Sequence, residues 1–255
     1  MKVILVTGGA KRLGRAIIEE FAKHNYGCLI HANSSVEEAG ILCDRIRSAG
    51  GSANVFIHEI SDPALAANAM LDASMDYFSV LPTASVLSAA SYADDERGGN
   101  LECTVASQMG LNFFFPAAYC AALAGRIKSL NERTRVDRSV TVFTDFKVHR
   151  VNPDFFSYSL SKHALEGAIP YLAVAFARQI RVNGIAPGPV LAANGLTQDE
   201  LDAIVLSQTI SGETPKIGDI AKTALFLTQT SAIIGQHIYV DAGARFDSTA
   251  REIQV

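Results

Sequence analysis

Tyr158 and Lys162 stand four residues apart in the run Tyr158-Ser159-Leu160-Ser161-Lys162, and Asp145 stands thirteen residues before the tyrosine. At a spacing of four, two side chains share one face of a helix. An ammonium beside a phenol favours the phenolate, so Lys162 is expected to lower the Tyr158 pKa. A tyrosine tuned in this way gives a proton to a substrate and takes it back near neutral pH. The spacing alone is unspecific, because a half-buried tyrosine beside a solvated lysine reads the same. Two jobs are open to Asp145. As an anion it binds an amino-pyrimidine edge and raises the tyrosine pKa; as a neutral acid, kept protonated by burial, it donates. It also suits a plain structural task, capping the turn after a strand.

A second stretch that bears chemistry is Thr7-Gly8-Gly9-Ala10-Lys11-Arg12-Leu13-Gly14. It follows the short apolar run Val3–Val6 and precedes an amphipathic segment, as a strand-to-helix turn does. Glycines let a backbone approach a diphosphate closely, and the helix that follows offers free N–H groups. One glycine position of this pattern is occupied by Arg12. After the second strand the chain reads His31-Ala32-Asn33-Ser34-Ser35, with no acidic residue to hold a ribose 2′-hydroxyl. Lys11 and Arg12 are expected to neutralise a 2′-phosphate instead, which points to NADPH.

The elements that must position these groups alternate. Strands are expected at 3–6, 27–32, 53–60, 84–89, 139–144, 181–186 and 238–240. Helices are expected after the glycine turn, at 35–49, after Asp62-Pro63, at 101–125, through Tyr158 and Lys162 to Ala177, and after a capping Asp219. Strand–helix alternation with crossovers implies a parallel sheet: a Rossmann-like, doubly wound α/β fold in one domain spanning 1–255. Residues 92–100 and 126–138 read as loops, and 190–215 as a lid over the substrate. Pro170 falls inside the catalytic helix, removes an amide there and is expected to bend it.

Composition narrows the class. Of 255 residues, 49% are hydrophobic, which argues against disorder, and a net charge of −4 gives no electrostatic reason for a nucleic-acid partner. No apolar run is long enough to span a membrane, and a glycine turn follows the N-terminal apolar run in place of a cleavage site. A cytoplasmic protein with a small-molecule substrate and no membrane partner is expected. Cys28, Cys43, Cys103 and Cys120 lack C-x-x-C spacing and read as reduced, buried thiols. The six histidines lack metal spacing and read as surface or loop residues, so no metal is expected.

Taken in order, these motifs resemble the short-chain dehydrogenase/reductases over Val3 to about Phe246. The family's T-G-x-x-x-G-x-G corresponds to 7–14, its N-x-x-x-P to Asn112–Pro116, its Y-x-x-x-K to Tyr158–Lys162, its R-V-N-x-I-x-P-G to Arg181–Gly188, and its G-Q-x-I-x-V-D-x-G to Gly235–Gly243. Arg12, Asp145 and the stretch 152–162 resemble the pteridine reductases within it. The resemblance implies reduction of a pterin- or folate-like ring by NADPH, with Asp145, Tyr158, Lys162 and Asn112 catalytic and Asn112 holding a water that leads to Lys162. It implies cofactor contacts at Gly8, Lys11, Arg12 and Leu13, at Asn33 and Ser34, at Glu59 and Ile60, at Ser88, Ala89 and Ala90, at Tyr158 and Lys162, and at Pro187, Gly188 and Val190. Substrate contacts are implied at Ser91, Tyr92 and Asp145. Phe113, Phe114 and Phe115 read as helix packing. A homotetramer or homodimer built on the two long helices is implied as well. One stretch departs from the family. Where it carries N-N-A-G or N-N-A-S, this chain has Ser88-Ala89-Ala90-Ser91, so two amides that pin the strand end are missing. Two other readings remain: a carbonyl reductase or alcohol dehydrogenase of another substrate, and a non-catalytic nucleotide-binding member.

Overall fold

A computed structural model describes residues 1–92, 101–130, 137–151, 155–192 and 195–246. Seven parallel strands form one sheet: β1 (Val3–Thr7), β2 (Gly27–Ala32), β3 (Ala53–Ile57), β4 (Ala84–Leu87), β5 (Ser139–Phe143), β6 (Arg181–Pro187) and β7 (His237–Val240). Their order is β3-β2-β1-β4-β5-β6-β7. It reverses direction between β1 and β4, where the strand ends splay and open α/β sheets take their ligands.

The helices are α1 (Arg12–Lys23), α2 (Val36–Ser48), α3 (Pro63–Phe78), α4 (Leu101–Met109), α5 (Phe115–Leu130), α6 (Phe156–Phe176), α7 (Gln198–Leu206) and α8 (Ile217–Gln229). They cover both faces of the sheet. Alternation along β1 sorts its side chains: Ile4 and Val6 join Ile17, Phe21, Leu42 and Leu227 on one face, while Val3 and Leu5 join Met70, Phe115, Tyr119 and Leu165 on the other. Because both faces are covered, β1 and β2 are buried at every residue.

Several boundaries differ from the sequence reading. β3 stops at Ile57, leaving Glu59 and Ile60 in the following turn, and β4 stops at Leu87. The helix expected over 101–125 has three parts, because Gly110–Phe114 winds as a π-turn between α4 and α5. Pro116 has no amide to give to the Asn112 carbonyl, so the regular ladder fails at that step. α5 then continues through Arg126 and Lys128 to Leu130, where a loop was expected. Residues 131–136 of that expected loop, 93–100 of the other and 193–194 of the expected lid lie outside the described residues. α6 runs without interruption through Pro170. α8 begins at Ile217, so Asp219 does not cap it; it lies in the first turn, where its charge favours the helix dipole. Asp62 does cap α3, accepting from the amides of Ala64 and Leu65.

Cys103 is exposed where a buried thiol was expected, and the other three cysteines are buried; all four are free. Among the described residues no metal-binding group occurs, and no helix is long and apolar enough to cross a membrane. Arg181 and Asn183 are structural pins. The buried Arg181 guanidinium donates to Asp137 and to the carbonyls of Leu227, Thr228, Thr230 and Ile233, and Asn183 bonds Ile233 and Gln236.

Candidate active site

The site lies at the carboxyl ends of β1, β4, β5 and β6. β5 delivers Asp145 two residues past its end, and the first turns of α6 deliver Tyr158 and Lys162. The Asp145 carboxylate performs two of the tasks foreseen for it. Its Oδ1 accepts from the amide of Lys147 at 2.9 Å and caps the short 3-10 turn Phe146–His149. Its Oδ2 accepts from the Tyr158 hydroxyl at 2.7 Å.

Burial, reinforced by the Asp145 carboxylate, reverses the expected titration of the tyrosine. Burial and then the Asp145 carboxylate push the Tyr158 pKa well above its ordinary value of 10. Lys162 does not lower it. The ammonium sits 5.6 Å from the Tyr158 ring centre and donates to the Phe143 carbonyl at 2.7 Å. An anion at hydrogen-bond distance outweighs a cation held behind the ring. Without cofactor, therefore, the phenol keeps its proton.

Burial pulls Lys162 down from 10.5 to about 8, against an upward pull from Asp145. The folded chain sheds this proton near pH 8, whereas an unfolded chain holds it to about 10.5. Between those values the unfolded state binds more protons, so stability rises with pH. The stability of the wild type relative to Lys162→Met is expected to grow by about 2 kcal/mol from pH 8 to pH 10. Urea unfolding at each pH measures it, and a constant difference would mean that the ammonium is hydrated.

Asn112 lies in the π-turn and is buried. Its side chain accepts from the Ser91 amide and donates to the Ser91 carbonyl, to Gln108 and to Ser161. It thus ties the end of β4 to α6 by its amide. Ser91, expected to touch substrate, is drawn into this scaffold: its hydroxyl accepts from Gln108. The missing amides of the 88–91 stretch are replaced locally as well. The Ser88 hydroxyl donates to the Thr7 carbonyl at 2.6 Å and the Ala89 amide to the Thr7 hydroxyl at 3.0 Å. Two hydroxyls and an asparagine on the neighbouring helix do the pinning.

Tyr92 comes to Tyr158. Its ring meets Tyr158 edge-on at 4.7 Å and stacks on Phe155 at 4.1 Å. Sequence reasoning passed over Phe155 and Lys147. Phe155 precedes α6 with φ +55, a conformation that bulky side chains rarely adopt, and the stack on Tyr92 helps hold it there. Only its place in the chain, three residues ahead of the tyrosine, could have drawn notice.

At the glycine turn, Gly8 has φ +65 and its amide donates to Nδ1 of His31 at 3.3 Å. His31 is buried, contrary to the expectation of a surface histidine. Burial holds its pKa down at about 4, so the ring is neutral and accepts at Nδ1, while Nε2 meets the His58 carbonyl. Arg12 adopts φ +52, the left-handed conformation of the glycine it replaces. Its guanidinium donates to the carbonyls of Leu191 and Ala192, fastening the turn to the segment after β6. Lys11 instead pairs with Glu38 of α2, at 2.6 Å. The two cations expected to act together thus diverge, and Lys11 alone is drawn toward α2, the helix that follows Asn33 and Ser34. Those two residues and Glu59 are exposed; β6 ends at Pro187, Gly188 follows it and Val190 is buried beyond. Leu13 packs against the core beside the turn.

A family model described as enoyl-(acyl carrier protein) reductase matches residues 8–245. An uncharacterized oxidoreductase of Methylorubrum extorquens is 28% identical over 96% of this chain and 98% of its own. Pteridine reductase 1 of Leishmania tarentolae is 24% identical over 94% of this chain and 95% of its own. Among solved structures, FolM alternative dihydrofolate reductase 1 of Brucella canis, complexed with NADP, superposes with a TM-score of 0.87 at 29% identity, covering 99% of this chain and 97% of that one.

Proposed function

The chain belongs to the short-chain dehydrogenase/reductase family, and on that premise we propose that it is an NADPH-dependent reductase of a pterin- or folate-like ring. One observation carries the proposal: the proton-bearing Tyr158 hydroxyl is held by a carboxylate, Asp145 Oδ2, and the Tyr158 ring meets the Tyr92 ring edge-to-face. A carboxylate accepts paired N–H donors, which an amino-pyrimidine edge offers and a simple ketone does not.

The glycine turn fits the cofactor. No side chain caps the start of α1, and Gly8 and Arg12 both hold the left-handed backbone that opens a turn to a ligand. Gly8, Arg12 and Leu13 would hold the phosphates, Lys11 with Asn33 and Ser34 the 2′-phosphate, and Lys162 a ribose. When bound, NADPH supplies a hydride to an unsaturated carbon of the ring. Tyr158 keeps a proton ready at its hydroxyl, Asp145 orients that hydroxyl and the ring, and Tyr92 with Phe155 shields the exchange from water.

Oxidation of NADPH with dihydrofolate, dihydrobiopterin and simple ketones tests the reading; turnover of the ketones alone would refute it. Asp145→Ser is expected to lower kcat/KM for the ring substrate by about 10²-fold, the scale of a charged hydrogen bond made in the transition state. It also shifts the pH profile. The carboxylate raises both Tyr158 and Lys162, so its removal moves the alkaline limb of kcat/KM to lower pH whichever group governs it. An alkaline limb that does not move would show that neither group reports there.

The oligomer belongs to the same proposal. Phe156, Leu160, Tyr171 and Val174 of α6 and Phe114 ahead of α5 are exposed, and we propose that a second copy of the chain covers them. Light scattering at micromolar concentration, read as a monomer, would overturn this.

A further inference from the structure

We propose that Lys147 makes this site prefer a substrate whose ring carries an anionic tail, such as the glutamyl tail of dihydrofolate, over a dihydropterin with a neutral side chain. The inference rests on the ring reduction proposed above and assigns the specificity of the same site.

Two ends of one residue frame the site. The Lys147 amide is bonded to Asp145 Oδ1 at 2.9 Å, so its backbone is fixed to the carboxylate that would take the ring. Its ammonium lies 3.3 Å from the Tyr92 hydroxyl, 5.1 Å from the Phe155 ring centre and 5.7 Å from that of Tyr92. It therefore stands half-buried against the aromatic pair, beside the exposed Tyr92 ring, where the tail of a bound ring would pass.

The other basic side chains around this segment are taken. His149 meets Glu166 at 3.0 Å, and Arg150 donates to the Ala244 carbonyl at 2.9 Å. Arg245 pairs with Asp241 at 3.0 Å. Among the described residues Lys147 has no carboxylate partner, and its ammonium, with three donors, meets one phenolic oxygen. The ring faces beside it hold the cation without neutralising it. In a chain of net charge −4, a lone cation at the mouth draws anionic groups to that spot and away from others.

Lys147 is thus a specificity residue for the tail and touches neither the hydride nor the proton. The test compares dihydrofolate and 7,8-dihydrobiopterin in the wild type, Lys147→Gln and Lys147→Arg at low and high salt. In Lys147→Gln the KM for dihydrofolate is expected to rise up to about fivefold, the range of an exposed ion pair, with kcat unchanged. The KM for dihydrobiopterin stays put, Lys147→Arg restores the wild-type ratio, and salt narrows the difference. An equal change for both substrates, no change for either, or no salt dependence overturns the role of Lys147 while leaving the ring reduction standing. A wild type that turns over neither substrate overturns both.

Discussion

Tyr158→Phe is expected to lower kcat by about 10²–10⁴-fold, the contribution of a positioned general acid, while leaving NADPH binding within about twofold. The substitution keeps the ring and its edge contact with Tyr92, and removes only the hydroxyl that donates to Asp145 at 2.7 Å. Folding should change little, since the freed Asp145 oxygen belongs to a half-buried side chain that water can reach. The informative readouts are single-turnover kinetics for the chemical step and quenching or enhancement of NADPH fluorescence for binding. A Tyr158→Phe enzyme with full turnover would remove the tyrosine from the mechanism, and with it the main argument for the site.

Gly14→Ala carries the largest expected effect on folding and cofactor binding together. A methyl group on Gly14 would stand 2.1 Å from the Gly8 carbonyl oxygen and 3.0 Å from the Cα of Gly9. Both are backbone atoms of the glycine turn, so no side chain can swing aside. Either α1 withdraws from the turn or the turn opens. The cost is expected to reach at least about 3 kcal/mol of stability, the upper range for overpacking. Because the same turn would hold the phosphates, NADPH affinity should fall at least tenfold even where the protein is fully folded. Urea unfolding and NADPH titration read the two effects separately. Unchanged midpoints in both would show that the turn is looser than the contact implies.

Much of the fold was legible because its causes are local. Apolar runs of four to seven residues between glycine turns and amphipathic segments specify buried parallel strands, and a helix starts at Pro63 as the Asp62-Pro63 pair led us to expect. The errors arose where a non-local or backbone effect governed. The π-turn at Gly110–Phe114 follows from Pro116 acting on a carbonyl one turn earlier within an otherwise helical pattern. α5 ran on through basic residues because its other face packs on α3 and the sheet, support that a reading of charge alone overlooks.

Sequence alone determined the family's motifs in their order and the one-domain α/β class, and it singled out Tyr158, Lys162 and Asp145 as candidates, since spacing along a helix or strand places such groups without knowledge of the rest. Only the tertiary structure decided how they act on one another. It buried Tyr158, set its hydroxyl on Asp145 and turned Lys162 to the Phe143 carbonyl, and the burial together with the carboxylate reversed the expected shift of the tyrosine. It parted Lys11 from Arg12, sending one to α2 and the other to the segment after β6. It stacked Phe155 and Lys147 about Tyr92, and it supplied hydroxyls where amides were absent after β4. The reason is common to all of these. Titration, pairing and stacking depend on distances between residues far apart in the chain, and those distances exist only once the strands have lined up in the sheet.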